Sequence, residues 1–147
     1  MNHYPEWWDT TITLFNKYVS SDNHITWYPH VIEGCFYKHV KDKITINKTT
    51  IESDTTVCRI RVSSDFVNKR DWSALDSDQK AEKFTLAVGD IIVAGEIEFN
   101  IDEYSKGDRS TDLLAEYKDW PGCFVVESAS YNFGQGRGNE HYLARGK

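Results

Sequence analysis

Phe84-Thr85-Leu86-Ala87-Val88-Gly89-Asp90-Ile91-Ile92-Val93-Ala94-Gly95-Glu96-Ile97-Glu98-Phe99 is the most apolar run of the chain. Val88-Gly89-Asp90 reads as a tight turn, because Gly accepts positive φ and an Asp side chain bonds the neighbouring backbone. Ile91-Ile92-Val93 is β-branched and suits a buried strand. Gly95 marks a bulge or a close backbone approach. From Glu96 to Phe99 polar and apolar residues alternate, as in a strand with one wet face. This run predicts the central hairpin or bent strand of a small β-protein, and by itself it carries no chemistry.

Around it the chain keeps a strand-like period. Trp7-Trp8-Asp9 leads into Thr10-Thr11-Ile12-Thr13-Leu14-Phe15, with Ile12 and Leu14 on one face. Residues 19–24 are a turn cluster. Extended segments are expected over 25–31, with Pro29 placing that strand at an edge or a bulge, and over 35–40 after a bend at Gly34. Val40-Lys41-Asp42-Lys43 reads as a charged turn, 44–51 as a further strand, Ser53-Asp54 as a turn and 56–62 as a strand with Arg59 and Arg61 on a solvated or interface-facing side. Residues 63–83 are charged and weakly patterned, with a short helix expected over 77–83, where Gln79 follows Asp76 at capping-box spacing. Residues 110–118 give the clearest helix: Ser110 or Thr111 at its start, Asp112 in the first turn, and Leu113, Leu114 and Tyr117 in one stripe. Strands are expected at 123–133 and 140–144. The total is about eight strands with one short helix near 110–118 and another near 77–83. That predicts a mainly β fold, a barrel or a sandwich, in one domain over 1–147 with 63–83 inserted.

Composition narrows the function classes. The chain has 147 residues, 14% of them aromatic, and a formal charge of −6. The richness in Trp, Tyr and Phe argues for an ordered core. The acidic balance argues against a nucleic-acid-binding module, which neutralises phosphates with clustered Lys and Arg. Cys35, Cys58 and Cys123 form no C-x-x-C pair and read as three reduced, buried thiols. No run approaches the length that crosses a bilayer, so no membrane is expected.

Motifs for chemistry are lacking. His3, His24, His30, His39 and His141 are scattered and show no metal-ligand spacing. Gly134-x-Gly136-x-Gly138 precedes a strand rather than a helix, so it reads as a hairpin tip and not a phosphate loop, with Arg137 as a single contact residue. Asp102, Glu103, Asp108, Asp112 and Glu116 cluster in sequence but occupy a turn and a helix face where acids sit solvated. No nucleophile motif stands out. The expectation is a protein that is not an enzyme, with no cofactor and no metal. Its interface candidates are Trp7, Trp8, Trp27, Trp72, Trp120 and Arg137, since Trp and Arg concentrate at interface hot spots. At least half of the tryptophans are expected in the core instead.

Six pieces taken in order resemble a family of uncharacterised phage and prophage proteins from Gram-positive hosts. They are Trp8-Asp9-Thr10-Thr11-Ile12-Thr13-Leu14-Phe15; Thr26-Trp27-Tyr28 with Gly34-Cys35-Phe36-Tyr37-Lys38; Thr56-Val57-Cys58-Arg59-Ile60; Gly89-Asp90-Ile91-Ile92-Val93-x-Gly95; Arg109-Ser110-Thr111-Asp112-Leu113; and Gly136-Arg137-x-x-x-His141-Tyr142-Leu143. More loosely, the chain resembles the head-closure (stopper) and minor capsid proteins of long-tailed phages. That resemblance implies a small β-barrel assembled as a homo-oligomeric ring between portal-adaptor and tail. Its partners would be the portal, adaptor and tail-terminator proteins, with DNA passing the lumen without specific binding. It implies a place in the virion, after synthesis in the host cytoplasm, and transfers no catalytic residue. Residues 63–83 and the helix near 113–117 exceed a minimal stopper. Residues 63–83 and 134–139 are the loops that could change position across a channel. Two rival readings are a phage-encoded inhibitor of host defence, acting as a small acidic binding protein, and a small hydrolase using the 102–116 acids.

Overall fold

The computed structural model describes residues 4–119, 122–132 and 139–147; side chains are described for these except 41–44 and 51–54. Six strands close a barrel: β1 (Thr10–Val19), β2 (Ile25–Ile46), β3 (Thr49–Arg61), β4 (Ile91–Ala94), β5 (Cys123–Asn132) and β6 (His141–Gly146). The order round the barrel is β1-β2-β3-β6-β5-β4, every neighbouring pair is antiparallel, and β4 returns to β1 with Leu14 opposite Ile92. The expected small β-barrel is therefore the architecture of this chain. Three helices join it: α1 (Lys69–Ser73), α2 (Ser77–Glu82) and α3 (Ser110–Tyr117).

The barrel closes on six strands because segments read separately in the sequence run together. Gly34, at φ 71°, bends β2 without ending it, and Arg61 Nε fixes the bend by donating to the Gly34 carbonyl at 2.7 Å. The turns expected at 40–43 and 53–54 do not occur, since Lys41 pairs with Asp54 and Lys43 with Glu52 inside one ladder. The reversal lies instead at Asn47-Lys48, both at positive φ (50° and 64°), as a two-residue hairpin turn requires. Charge marked the expected turns, but charged residues also populate the wet face of a ladder.

Both sides of the barrel wall are covered. Inside lie Ile12, Leu14, Cys35, Cys58, Ile60, Ile92, Phe124, Val126 and Ala144. Outside, Phe15, Ile91, Val93 and Leu113 form a second cluster, roofed by α3 and the strip 97–101. This is why β1 is buried continuously from Ile12 to Asn16 rather than at alternate positions. The strip 96–99 keeps the expected alternation, with Ile97 and Phe99 half-buried and Glu96 and Glu98 exposed, but it forms no ladder. It is held by Thr13 Oγ1, which donates to the Gly95 carbonyl at 2.8 Å and accepts from Ile97 N at 3.1 Å.

The helix starts differ from expectation in detail. α2 is capped as predicted, by Asp76 accepting from Gln79 N at 2.8 Å. α3 starts at Ser110 as expected, but its N-cap is Arg109 rather than Ser110 or Thr111: the Asp112 carboxylate accepts from Arg109 N at 3.0 Å and Glu103 accepts from Ser110 N at 2.6 Å. α1 was not foreseen. It is five residues long, capped by Asn68, and it carries Trp72 into the protein.

Candidate interaction surface

The open ends of β2 and β3 set this surface. The register of β1 on β2 stops at Thr10↔Cys35, and that of β6 on β3 starts at Thr56↔Gly146. Beyond those rungs β2 and β3 pair only with each other, from Val40↔Thr55 to Ile46↔Thr49. Seven rungs make a two-stranded arm about 20 Å long that extends past the barrel. Residues 45–50 are all exposed, Ile46 at 55%. A closed barrel has no free strand edges, and the arm restores two. An isolated two-stranded hairpin is marginal in water, so an arm of this length gains from a surface to lie on.

The tryptophans divide between the core and the surface. Trp8 is 4% exposed and packs against Tyr4 at 5.2 Å and edge-on to His141 at 5.3 Å, closing one barrel end. Arg61 holds that segment by donating to the Trp8 carbonyl at 3.0 Å, and Arg59 lies over the Phe36 ring at 5.1 Å. Both arginines expected on an interface-facing side thus make contacts within the chain. Trp72 is fully buried against Tyr18 and Tyr28, with its indole N–H on the Lys83 carbonyl at 2.8 Å. Trp8 and Trp72 are therefore core residues and cannot anchor a neighbour, as their size and apolar neighbours dictate. Trp27 is half-buried on the outer cluster beneath Lys17, and its indole N–H has no partner among the described residues. Trp7 is 68% exposed. Trp120 and Arg137 lie outside the described residues, as does the 133–138 part of the glycine loop. Residues 63–83 are not a loose loop: α1 docks on the barrel through Trp72 and through Lys69 Nζ, 2.5 Å from the Lys17 carbonyl, and α2 through buried Lys80, whose Nζ lies over the Tyr18 ring at 4.1 Å.

The titratable groups are used structurally. Asp90 is fully buried and accepts from Lys17 N at 2.9 Å, Ala87 N at 2.9 Å and Asn16 Nδ2 at 3.0 Å. Burial pushes its pKa up, against the pull of these donors and of Lys69. Asn16 also brackets Thr85, donating to its carbonyl at 2.7 Å and accepting from its N–H at 3.1 Å, so 84–90 is pinned to β1. Burial beside Phe84 lowers the pKa of His30 to about 4. Cys35 and Cys58 are fully buried and adjacent, and Cys58 is pushed well up; Cys123 is only half-buried. Asp102, Glu103 and Asp112 serve a turn and the start of α3, with Asp102 accepting from Tyr104 N and Ser105 Oγ. No three His, Cys, Asp or Glu side chains converge among the described residues, and none of the described helices is long and apolar enough to cross a membrane.

The arm tip, Ile46-Asn47-Lys48, was missed as a surface feature. The available signal was Asn at a turn between alternating runs, Ile44-Thr45-Ile46 and Thr49-Thr50-Ile51, because Asn tolerates positive φ. No curated protein and no solved structure matches the chain. One family model does, over residues 7–147, and the protein belongs to that family, DUF6751, a family of unknown function.

Proposed function

We propose that this protein is a virion structural component of a tailed phage or prophage, a head–tail connector subunit of the head-closure or head-completion type. In this reading it forms a ring between portal-adaptor and tail, and it is made in the host cytoplasm before joining the particle. The observation that carries the reading is the β2–β3 arm. A barrel whose wall is packed on both sides has a rigid body, and the arm supplies edges for a neighbour. Exposed Trp7 supplies an interface anchor on the surface. The formal charge of −6 suits a lumen through which DNA slides without sticking.

Mass spectrometry of purified virions tests this directly. The chain should appear in the particle, and particles made without it should have filled heads that leak or fail to join tails. Normal virions lacking the protein would overturn the reading. If it were absent from particles but captured a host nuclease or a signalling nucleotide, the acidic-inhibitor alternative would take its place.

A further inference from the structure

The arm has two unlike faces. Its register places Val40, Ile44 and Ile46 on one face, with Ile51 opposite Ile44 and Val57 completing the face at the base. Asp42 opposite Ser53 is a polar rung within this face, and Thr55, Thr49 and Lys38 stand opposite Val40, Ile46 and Val57. The other face carries Lys41 opposite Asp54 and Lys43 opposite Glu52. At the base, Cys58 on this second face points into the barrel core, so the apolar face continues the outside of the barrel. Ile46 at its end is exposed.

The same molecule offers a complementary groove. It has a volume of about 510 Å³, within the range of sites that take apolar groups. Its walls are Pro29 and Val31 of β2 and Ile97 and Phe99 of the strip beside β1. Val31 is 47% exposed, and Glu98 lines the groove with exposed Glu96 next to it. Charge is complementary as well. Residues 38–55 hold four lysines and three acids, hence +1, which leaves −7 of the formal −6 on the rest of the chain. The tip carries Lys48.

The arm cannot reach the groove of its own chain. Val31 and Ile46 lie on one continuous strand, separated by roughly 50 Å of extended backbone with a bend at Gly34. The partner with both a matching groove and the right charge is a second copy. We propose that the apolar face of the β2–β3 arm of one subunit seats in the Val31–Phe99 groove of the next. The contact joins two different surfaces, so it is heterologous and propagates until the rotation closes a ring. It rests on the reading above only in taking the ring to be homo-oligomeric.

Two exposed substitutions test it, each with circular dichroism and a thermal melt to confirm an unchanged fold. Ile46→Asp spoils the arm and leaves the groove; Val31→Asp spoils the groove and leaves the arm. Wild-type protein should form concentration-dependent oligomers in sedimentation velocity, and each variant should associate at least about tenfold more weakly. An equimolar mixture of the two variants should give dimers that grow no further, because each pair holds one intact arm and one intact groove. Oligomers that survive both substitutions, a mixture that stays monomeric, or a wild type that is monomeric throughout would overturn the contact. Oligomers that survive both substitutions would do so without touching the virion reading, which particle mass spectrometry decides separately.

Discussion

At the residue scale, single groups hold the barrel closed where strands meet at unusual distances. Gly146 is one of them. A Cβ built there would lie 1.9 Å from the Val125 carbonyl oxygen and 2.7 Å from the Phe124 ring, beside the bulge at Val126/Ser128. Backbone cannot yield as a flexible side chain can, so Gly146→Ala should cost about 1–3 kcal/mol in urea unfolding. An unchanged midpoint would show that β6 does not approach β5 so closely. Gly146 lies beyond the strand expected at 140–144, because Arg145 and Lys147 flank it and Gly carries no periodicity of its own. His30 makes a second prediction. Its folded pKa, about 4, lies below the unfolded value of 6.5 because burial disfavours the cation. A depressed histidine contributes stability that is fully present above pH 6.5 and lost as pH falls toward 4. The shift corresponds to about 3 kcal/mol at most. Thermal melts from pH 7 to pH 4 should therefore show a decline that is shallower in His30→Phe, which keeps the apolar contact with Phe84 and cannot take a proton.

At the element scale, the barrel and its arm should separate cleanly. β1, β4, β5 and β6 make no rung with β2 or β3 between Val40 and Thr55. Replacing residues 41–54 by Asn-Gly would close Val40↔Thr55 with a two-residue turn of the favoured kind. The shortened chain should keep its circular dichroism and melt within a few degrees of the parent, while losing self-association. Loss of folding would mean that the arm belongs to the barrel core. α3 and residues 63–83 behave in the opposite way. Leu113 seals the outer cluster and Trp72 is fully buried, so neither insertion can be trimmed without exposing large apolar surface.

At the scale of the whole molecule, the chain is a closed barrel, acidic overall, from which two paired strands project as an arm. Much of this was legible in the sequence. The β-branched and aromatic content, the turn at Gly89-Asp90, the Asp76 cap of α2 and the start of α3 at Ser110 depend on interactions within a few residues, which local chemistry dictates. Ala87 N donating to Asp90 at 2.9 Å is the bond that the turn reading expected. The alternation of 96–99 was legible for the same reason, although alternation cannot tell a paired strand from an extended strip. Other features needed partners distant in sequence. Trp8 and Trp72 looked like Trp7 until packing separated them: Trp8 meets His141, and Trp72 meets Tyr18 and Tyr28. The continuity of β2 through Lys41-Asp42-Lys43 depends on facing Ser53 and its neighbours across the ladder, a pairing that only register reveals. The groove likewise brings β2 beside the strip after Gly95, through Thr13 of β1. The sequence by itself determined the kind of elements and the polarity of their faces, since these follow from side-chain period and backbone preference. The tertiary structure alone decided which face was covered and which strand ran on into solvent, because burial and register are properties of pairs of segments.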